Sequence, residues 1–217
     1  MVLHPESLAI DQRYKLLTGL VVPRPIAWVS TTDTLGRPNL APFSYFSIVG
    51  HAPMALSFSV AGRKPDRQDK DSLRNARLPC DGGTGEFTVN VVSRRQAQAM
   101  ARSAATLPHG SSEFEAFGIQ AVASSLVAPP RVGGAPASFE CRTVETVQIG
   151  IATLVIGEVV ALHVDDDLLD GRGRILCDRM QPVGRLAGGS YIDIASRFEM
   201  EDERFFPRTS GAREVTS

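Results

Sequence analysis

The chain has 217 residues, 43% of them hydrophobic and 22% charged, which is enough for one sizeable core and too ordinary a mixture for a disordered or fibrous chain. A formal net charge of −1 gives no whole-chain attraction to nucleic acid or to an anionic membrane. Cys80, Cys141 and Cys177 are odd in number and widely spaced, which argues against a disulfide framework or a cysteine zinc site and fits a reducing cytoplasm.

The start "MVLHPESLAIDQRYK" has no basic region followed by an apolar one, so no secretory signal is read there. Residues 26–32, "IAWVSTT", are β-branched and aromatic and lead into "DTLG" at 33–36, a turn between antiparallel strands. Residues 40–49 and 54–60 read as two further strands separated by "GHAP". The segment 62–77, "GRKPDRQDKDSLRNAR", carries six cations against three anions. Asp71 or Ser72 is placed to cap a short helix that runs to Arg77. A strand, a basic loop and a helix start together suit an anion such as a cofactor phosphate, although a solvated basic loop has the same composition.

Residues 86–92 alternate, with Phe87, Val89 and Val91 on one face and Thr88 and Asn90 on the other, the pattern of a half-buried strand. Ser93 with Gln96, and Ser112 with Glu115, have the spacing of capping boxes for two helices, the second ended by Gly118. Residues 139–149 and 151–164 are long β-rich runs around a tight turn at Gly150. The longest apolar stretch, 149–164, is broken by Gly150, Gly157 and Glu158 and is too short to cross a bilayer as a helix. Strands that follow one another without alternating helices favour a closed or partly closed barrel over a parallel sheet. One domain over 1–206 and a polar, mobile tail from Pro207 to Ser217 are expected.

Much chemistry is missing. The glycines at 82, 83 and 85 precede a strand and lack dinucleotide-fingerprint spacing, and there is no Walker A sequence or G-x-S-x-G elbow. His4, His51, His109 and His163 are scattered, and Asp165, Asp166, Asp167 and Asp170 do not follow the EF-hand pattern, so no metal site is expected.

Residues 22–59, followed by "KDSLRN" at 70–75, "GEFTVNVV" at 85–92, "LPHGSSEFEAFGI" at 107–119, "FECR" at 139–142, "IGEVVALHVDDDLL" at 156–169 and "PVGRLAGGSY" at 182–191, resemble the flavin reductase-like family of FMN-binding split barrels. The resemblance spans roughly residues 12–197. It implies a mainly β, six-stranded antiparallel split barrel of Greek-key type with short peripheral helices, a homodimer with FMN at the interface, and NADH or NADPH as co-substrate. It also implies reduced flavin passed to a partner oxygenase. By motif match, Asn39, Ala41, Ser44, Tyr45 and Phe46 are implied along the ring and ribityl chain, Ser59, Arg63, Lys64, Lys70 and Ser72 around the phosphate, and Arg24 from the interface side.

Ser72 stands where the family commonly has Thr, and "LPCDGG" at 78–83 resembles a small insertion. Hydride transfer between two cofactors requires no acid, base or nucleophile from the protein, so no catalytic residue is assigned. His163 is either a nicotinamide or flavin contact or a partly buried histidine with a satisfied hydrogen bond, and the second is preferred. Arg24 reads equally as a surface cation, and Gly188 with Gly189 equally as a turn. A non-enzymatic FMN carrier, or an FMN-dependent oxidase or monooxygenase, needs the same binding residues.

Overall fold

The computed structural model describes residues 1–62, 64 and 68–194; the expected tail, its boundary at 206 and Arg63 lie outside the described residues. Seven strands form one antiparallel sheet: β1 Ala27–Thr32, β2 Pro38–Phe43, β3 Phe46–His51, β4 Met54–Ala61, β5 Glu86–Val91, β6 Ala137–Ile149 and β7 Ala152–Val164. Their spatial order is β2-β1-β5-β6-β7-β4-β3. The two edge strands, β2 and β3, are consecutive in the chain, so the sheet curls until its edges meet at Ser44 and Tyr45. There the Ser59 N–H donates to the Tyr45 carbonyl at 2.8 Å. This is a barrel with one seam, the split architecture expected.

The barrel has seven strands because the run at 40–49 divides at that corner. Arg24 Nε donates to Ser44 Oγ at 3.2 Å and holds the bend. Inside the barrel, Phe43 and Phe58 pack at 5.0 Å between centroids, and Phe58 meets Phe87 edge-on at 5.2 Å. A side chain at Gly157 would meet the Phe87 ring at 2.4 Å, which is why the long β7 run carries a glycine there.

Helix α1, Ile10–Leu20, buries only Thr18 and was not expected; α2, Asp71–Ala76, closes one end of the barrel through Leu73 and Ala76, which join the lumen cluster. Outside the barrel, Trp28, Leu40, Met100, Phe114 and Val132 form a second cluster between β1, β2 and the short helices α3, Ala97–Arg102, and α4, Glu113–Ala116. Trp28 Nε1 donates to Ser103 Oγ at 2.9 Å, which satisfies the one polar atom of a fully buried ring.

Three local expectations are corrected. β5 is buried on both faces, because the loop at 120–136 covers Thr88 and Asn90: Thr88 Oγ1 donates to the Pro129 carbonyl at 3.1 Å, and Asn90 Oδ1 accepts from Val132 N at 2.9 Å. Neither capping box forms. Ser93 begins a 3-10 turn without a side-chain cap bond, and the buried Ser112 hydroxyl has no partner among the described residues. In α4 the anchoring carboxylate is Glu113, which accepts from Leu40 N at 2.8 Å. Helix α2 is capped at Lys70 instead of Asp71 or Ser72, because the Asp71 carboxylate is taken by Lys64, Arg74 and His109.

Candidate functional site

The plug helix α2 dictates where the site lies. Leu73 and Ala76 bind it to the lumen, so Lys70, Asp71 and Ser72 at its start are carried to the rim beside β2. There a cleft of about 240 Å³ is lined by Asn39, Ala41, Phe43, Lys64, Lys70 and Ser72 together with the loop at 103–107 and Glu113. Asn39 Nδ2 donates to Ser72 Oγ at 2.9 Å, and Asn75 Nδ2 holds Thr31 Oγ1 at 3.1 Å, so strand and helix are joined by a buried polar seam.

Lys70 is the outlier in the cleft. Burial pushes its ammonium below the ordinary lysine range, and its Nζ has no hydrogen-bond or ion-pair partner among the described residues. A desolvated cation without an anion is costly, and a ligand phosphate would supply what is missing. Lys64 differs, because it is paired with Asp71.

Five of the expected residues therefore meet in one place: Asn39, Ala41, Lys64, Lys70 and Ser72. Arg24, Ser44, Tyr45, Phe46 and Ser59 do not line this cleft; they gather along the seam. Arg24 is not a surface cation. It is 6% exposed, and its guanidinium donates to the carbonyls of Thr18 at 2.6 Å, Val21 at 3.1 Å and Leu186 at 3.1 Å, which ties the end of α1 to the barrel corner. Burial raises the Tyr45 phenol above its ordinary value.

His163 Nε2 lies 2.5 Å from Glu140 Oε1, so the reading of a histidine satisfied by the fold holds. Gly188 has φ +59° in the turn closed by Leu186 N to Ser190 O at 3.0 Å, which also matches the plainer reading. Burial drives the Cys141 thiol far up, so it has no thiolate chemistry. Among the described residues no group of three potential metal ligands comes together, and no helix is long and apolar enough to cross a membrane.

Phe43, which the sequence offered as an aromatic neighbour of the basic segment, lines the cleft, whereas Asp71 as a site residue, the 103–107 loop and Glu113 were missed. Glu113 was legible only as an acid at a helix start. Burial raises its carboxyl above the ordinary range despite the bond from Leu40, so ionisation carries a cost that grows as pH rises through that range. Glu113→Gln keeps an acceptor for Leu40 and should match or exceed the wild-type melting temperature at pH 8, the difference disappearing below pH ~4. Glu113→Ala, which orphans that N–H, should lose about 1–3 kcal/mol. Equal losses for both variants in thermal unfolding would reject this account.

A family model described as a flavin reductase like domain matches residues 19–179. An uncharacterized protein of Deinococcus radiodurans is 42% identical over 207 residues, covering 91% of this chain and 88% of its own. Among solved structures, the nitrilotriacetate monooxygenase component B from Bacillus cereus superposes with a TM-score of 0.85 at 33% identity, covering 92% of this chain and 98% of its own. The Pseudomonas fluorescens 2-nitrobenzoate 2-nitroreductase superposes with a TM-score of 0.82 at 30% identity, covering 96% and 100%.

Proposed function

The chain belongs to the flavin reductase-like family, and from that premise we propose that it is an NAD(P)H-dependent reductase of FMN. The observation that carries the proposal is Lys70, a partly desolvated ammonium without an ion-pair partner among the described residues, which lines the same cleft as the Ser72 hydroxyl.

In this reading Lys70 and Ser72 bind the phosphate, and Asn39 orients Ser72 through its 2.9 Å bond. A cleft of about 240 Å³ is smaller than the roughly 300–1,000 Å³ of a whole ligand pocket, so it takes the phosphate end while the ring lies toward Ser44, Tyr45 and Phe46. Bound flavin supplies the hydride acceptor. The protein's part is to hold nicotinamide and ring in contact and to exclude water.

A second copy of the chain is the proposed cover for the ring. Ile48 is 76% exposed on the edge strand β3, and Ile149 and Ile151 are 66% and 72% exposed at the tip of the β6–β7 hairpin, which β4 separates from β3. Apolar exposure on this scale suits a homodimer interface. The likeness to a monooxygenase component supports delivery of reduced flavin to a partner oxygenase.

The test is an anaerobic mixture of purified protein, FMN and NADH or NADPH, followed by nicotinamide absorbance. Rapid enzyme-dependent loss is expected. A protein that stays yellow and unreduced is a carrier. Because one similar structure is a nitroreductase, loss of nicotinamide only after a nitroaromatic acid is added would instead mark an organic substrate as the final acceptor.

A further inference from the structure

The edge strand β2 pairs on one side only, with β1. N–H groups alternate between the two sides of an antiparallel strand, so positions 38, 40 and 42 of β2 share its open side. Pro38 and Pro42 have no N–H. Leu40 is therefore the outward donor of this edge, and Glu113 Oε2 accepts from it at 2.8 Å. That bond anchors α4 and brings the Glu113 carboxyl into the wall of the cleft, whose lining also holds Lys70 and Ser72. An amide oxygen would satisfy Leu40 N equally well. A carboxyl only 6% exposed adds the cost of a buried charge, and with it the ability to take up a proton.

We infer that Glu113 binds the flavin phosphate as a neutral acid, donating its O–H to a phosphate oxygen, so that the cleft takes up a proton together with its ligand. The inference rests on the phosphate reading of the cleft and adds its regulation by pH.

The charge balance of the cleft supports this assignment. A phosphate monoester brings a charge of about −1.5 to −2 near pH 7. Lys64 is paired with Asp71, whose other oxygen holds Arg74 and His109, so Lys70 is the cation without a partner among the described residues. The β2 strand carries no ionisable side chain, and the remaining charged groups nearby, Glu115 on α4 and Arg102 at the end of α3, are exposed. An ionised Glu113 would therefore set a like charge beside the phosphate against one unpaired ammonium. Burial already pushes this carboxyl above its ordinary value, outweighing the Leu40 N–H and Lys64, and an incoming anion pushes it the same way. Protonated, Glu113 stops repelling the anion and becomes the donor of a charge-assisted O–H···O bond, while Oε2 keeps the bond from Leu40.

The test measures dissociation constants for FMN and riboflavin by quenching of flavin fluorescence on wild type and Glu113→Gln, with thermal midpoints to show that the variant is folded. Glutamine keeps the acceptor for Leu40 and offers N–H donors to a phosphate at every pH, and comparison at each pH cancels the titration of the phosphate itself. The two proteins should bind FMN within about twofold of one another at pH ~5, and the wild type should be weaker by about tenfold at pH ~8.5, where its carboxyl must be reprotonated or repel the ligand. Calorimetry in two buffers of different ionisation enthalpy tests the wild type by itself: near pH ~7 it should take up a proton with FMN, whereas a phosphate held by lysine alone would release protons or exchange none. A ratio of affinities that stays constant with pH, or no proton uptake by the wild type, overturns the inference and leaves the phosphate site standing. The same widening gap with riboflavin, which has no phosphate, also overturns it. A wild type that binds FMN at no pH removes the phosphate reading of the cleft, and this inference with it.

Discussion

Replacing Lys70 and Ser72 together by alanine should raise the dissociation constant for FMN about 100- to 10,000-fold, since each charge-assisted contact contributes about 1.5–3 kcal/mol and each 1.4 kcal/mol is tenfold. The size of the effect follows from the state of Lys70 before ligand arrives. Burial has already pushed its ammonium below the ordinary range, and no carboxylate among the described residues shares it, so most of the attraction is available to a phosphate. Ser72 is 2% exposed and accepts from Asn39, which leaves its own O–H to donate. Ser72→Thr keeps that hydroxyl and should retain affinity, which separates lost contact from misfolding. An FMN dissociation constant unchanged in the double variant, with an unchanged melting temperature, would remove the phosphate site from this cleft.

Glu140→Ala should lower stability by about 3–5 kcal/mol, the usual cost of breaking a buried charged network, and lower the melting temperature by on the order of 10 °C for a chain of this size. Glu140 is completely buried, and its carboxylate accepts from Ser125 N at 2.7 Å, Leu126 N at 2.6 Å and His163 Nε2 at 2.5 Å. Burial alone would raise this carboxyl, but the three donors outweigh it and hold it below the ordinary range. A depressed folded-state value contributes stability that is present above the ordinary glutamate range and lost as pH falls through the folded value. The wild type should therefore show an acid limb that Glu140→Gln flattens. Flavin affinity should survive in both variants, since Glu140 touches no residue of the cleft. A loss below about 1 kcal/mol in Glu140→Ala would mean that the loop at 124–126 is held by something else.

Helix α1 shows where the sequence reading stopped. Ile10, Tyr14, Leu17 and Val21 have helical spacing, and Gln12 Oε1 accepts from Ala9 N at 3.0 Å, yet the apolar face is turned outward: Ile10 is 71% and Leu20 79% exposed. Periodicity is an argument about burial within one chain, and among the described residues nothing covers this face of the helix. The β5 strand failed in the opposite direction. Alternation marked Thr88 and Asn90 as a wet face, and only the return of a loop more than thirty residues later made them interior. The expected cap at Asp71 failed because its carboxylate pairs with Lys64 and Arg74, and in the first capping box the Gln96 side chain donates to the Gly133 carbonyl at 3.1 Å instead of turning back to Ser93 N.

What the amino-acid order determined by itself was the β-rich barrel, the long hairpin around Gly150 and the concentration of cations between β4 and α2, which rest on alternation, turn chemistry and local charge acting over a few residues, and the family, which rests on the resemblance of its ordered motifs. Which members of the basic and aromatic segments face the same space was decided only by the tertiary structure. Curling the sheet until β2 meets β3, and plugging its end with Leu73 and Ala76, sends Asn39, Lys70 and Ser72 into the cleft and turns Arg24, Ser44 and Ser59 to the seam. The reason is physical: side-chain direction on a closed barrel depends on which distant strands pair and which helix fills the end, and no local pattern carries that information.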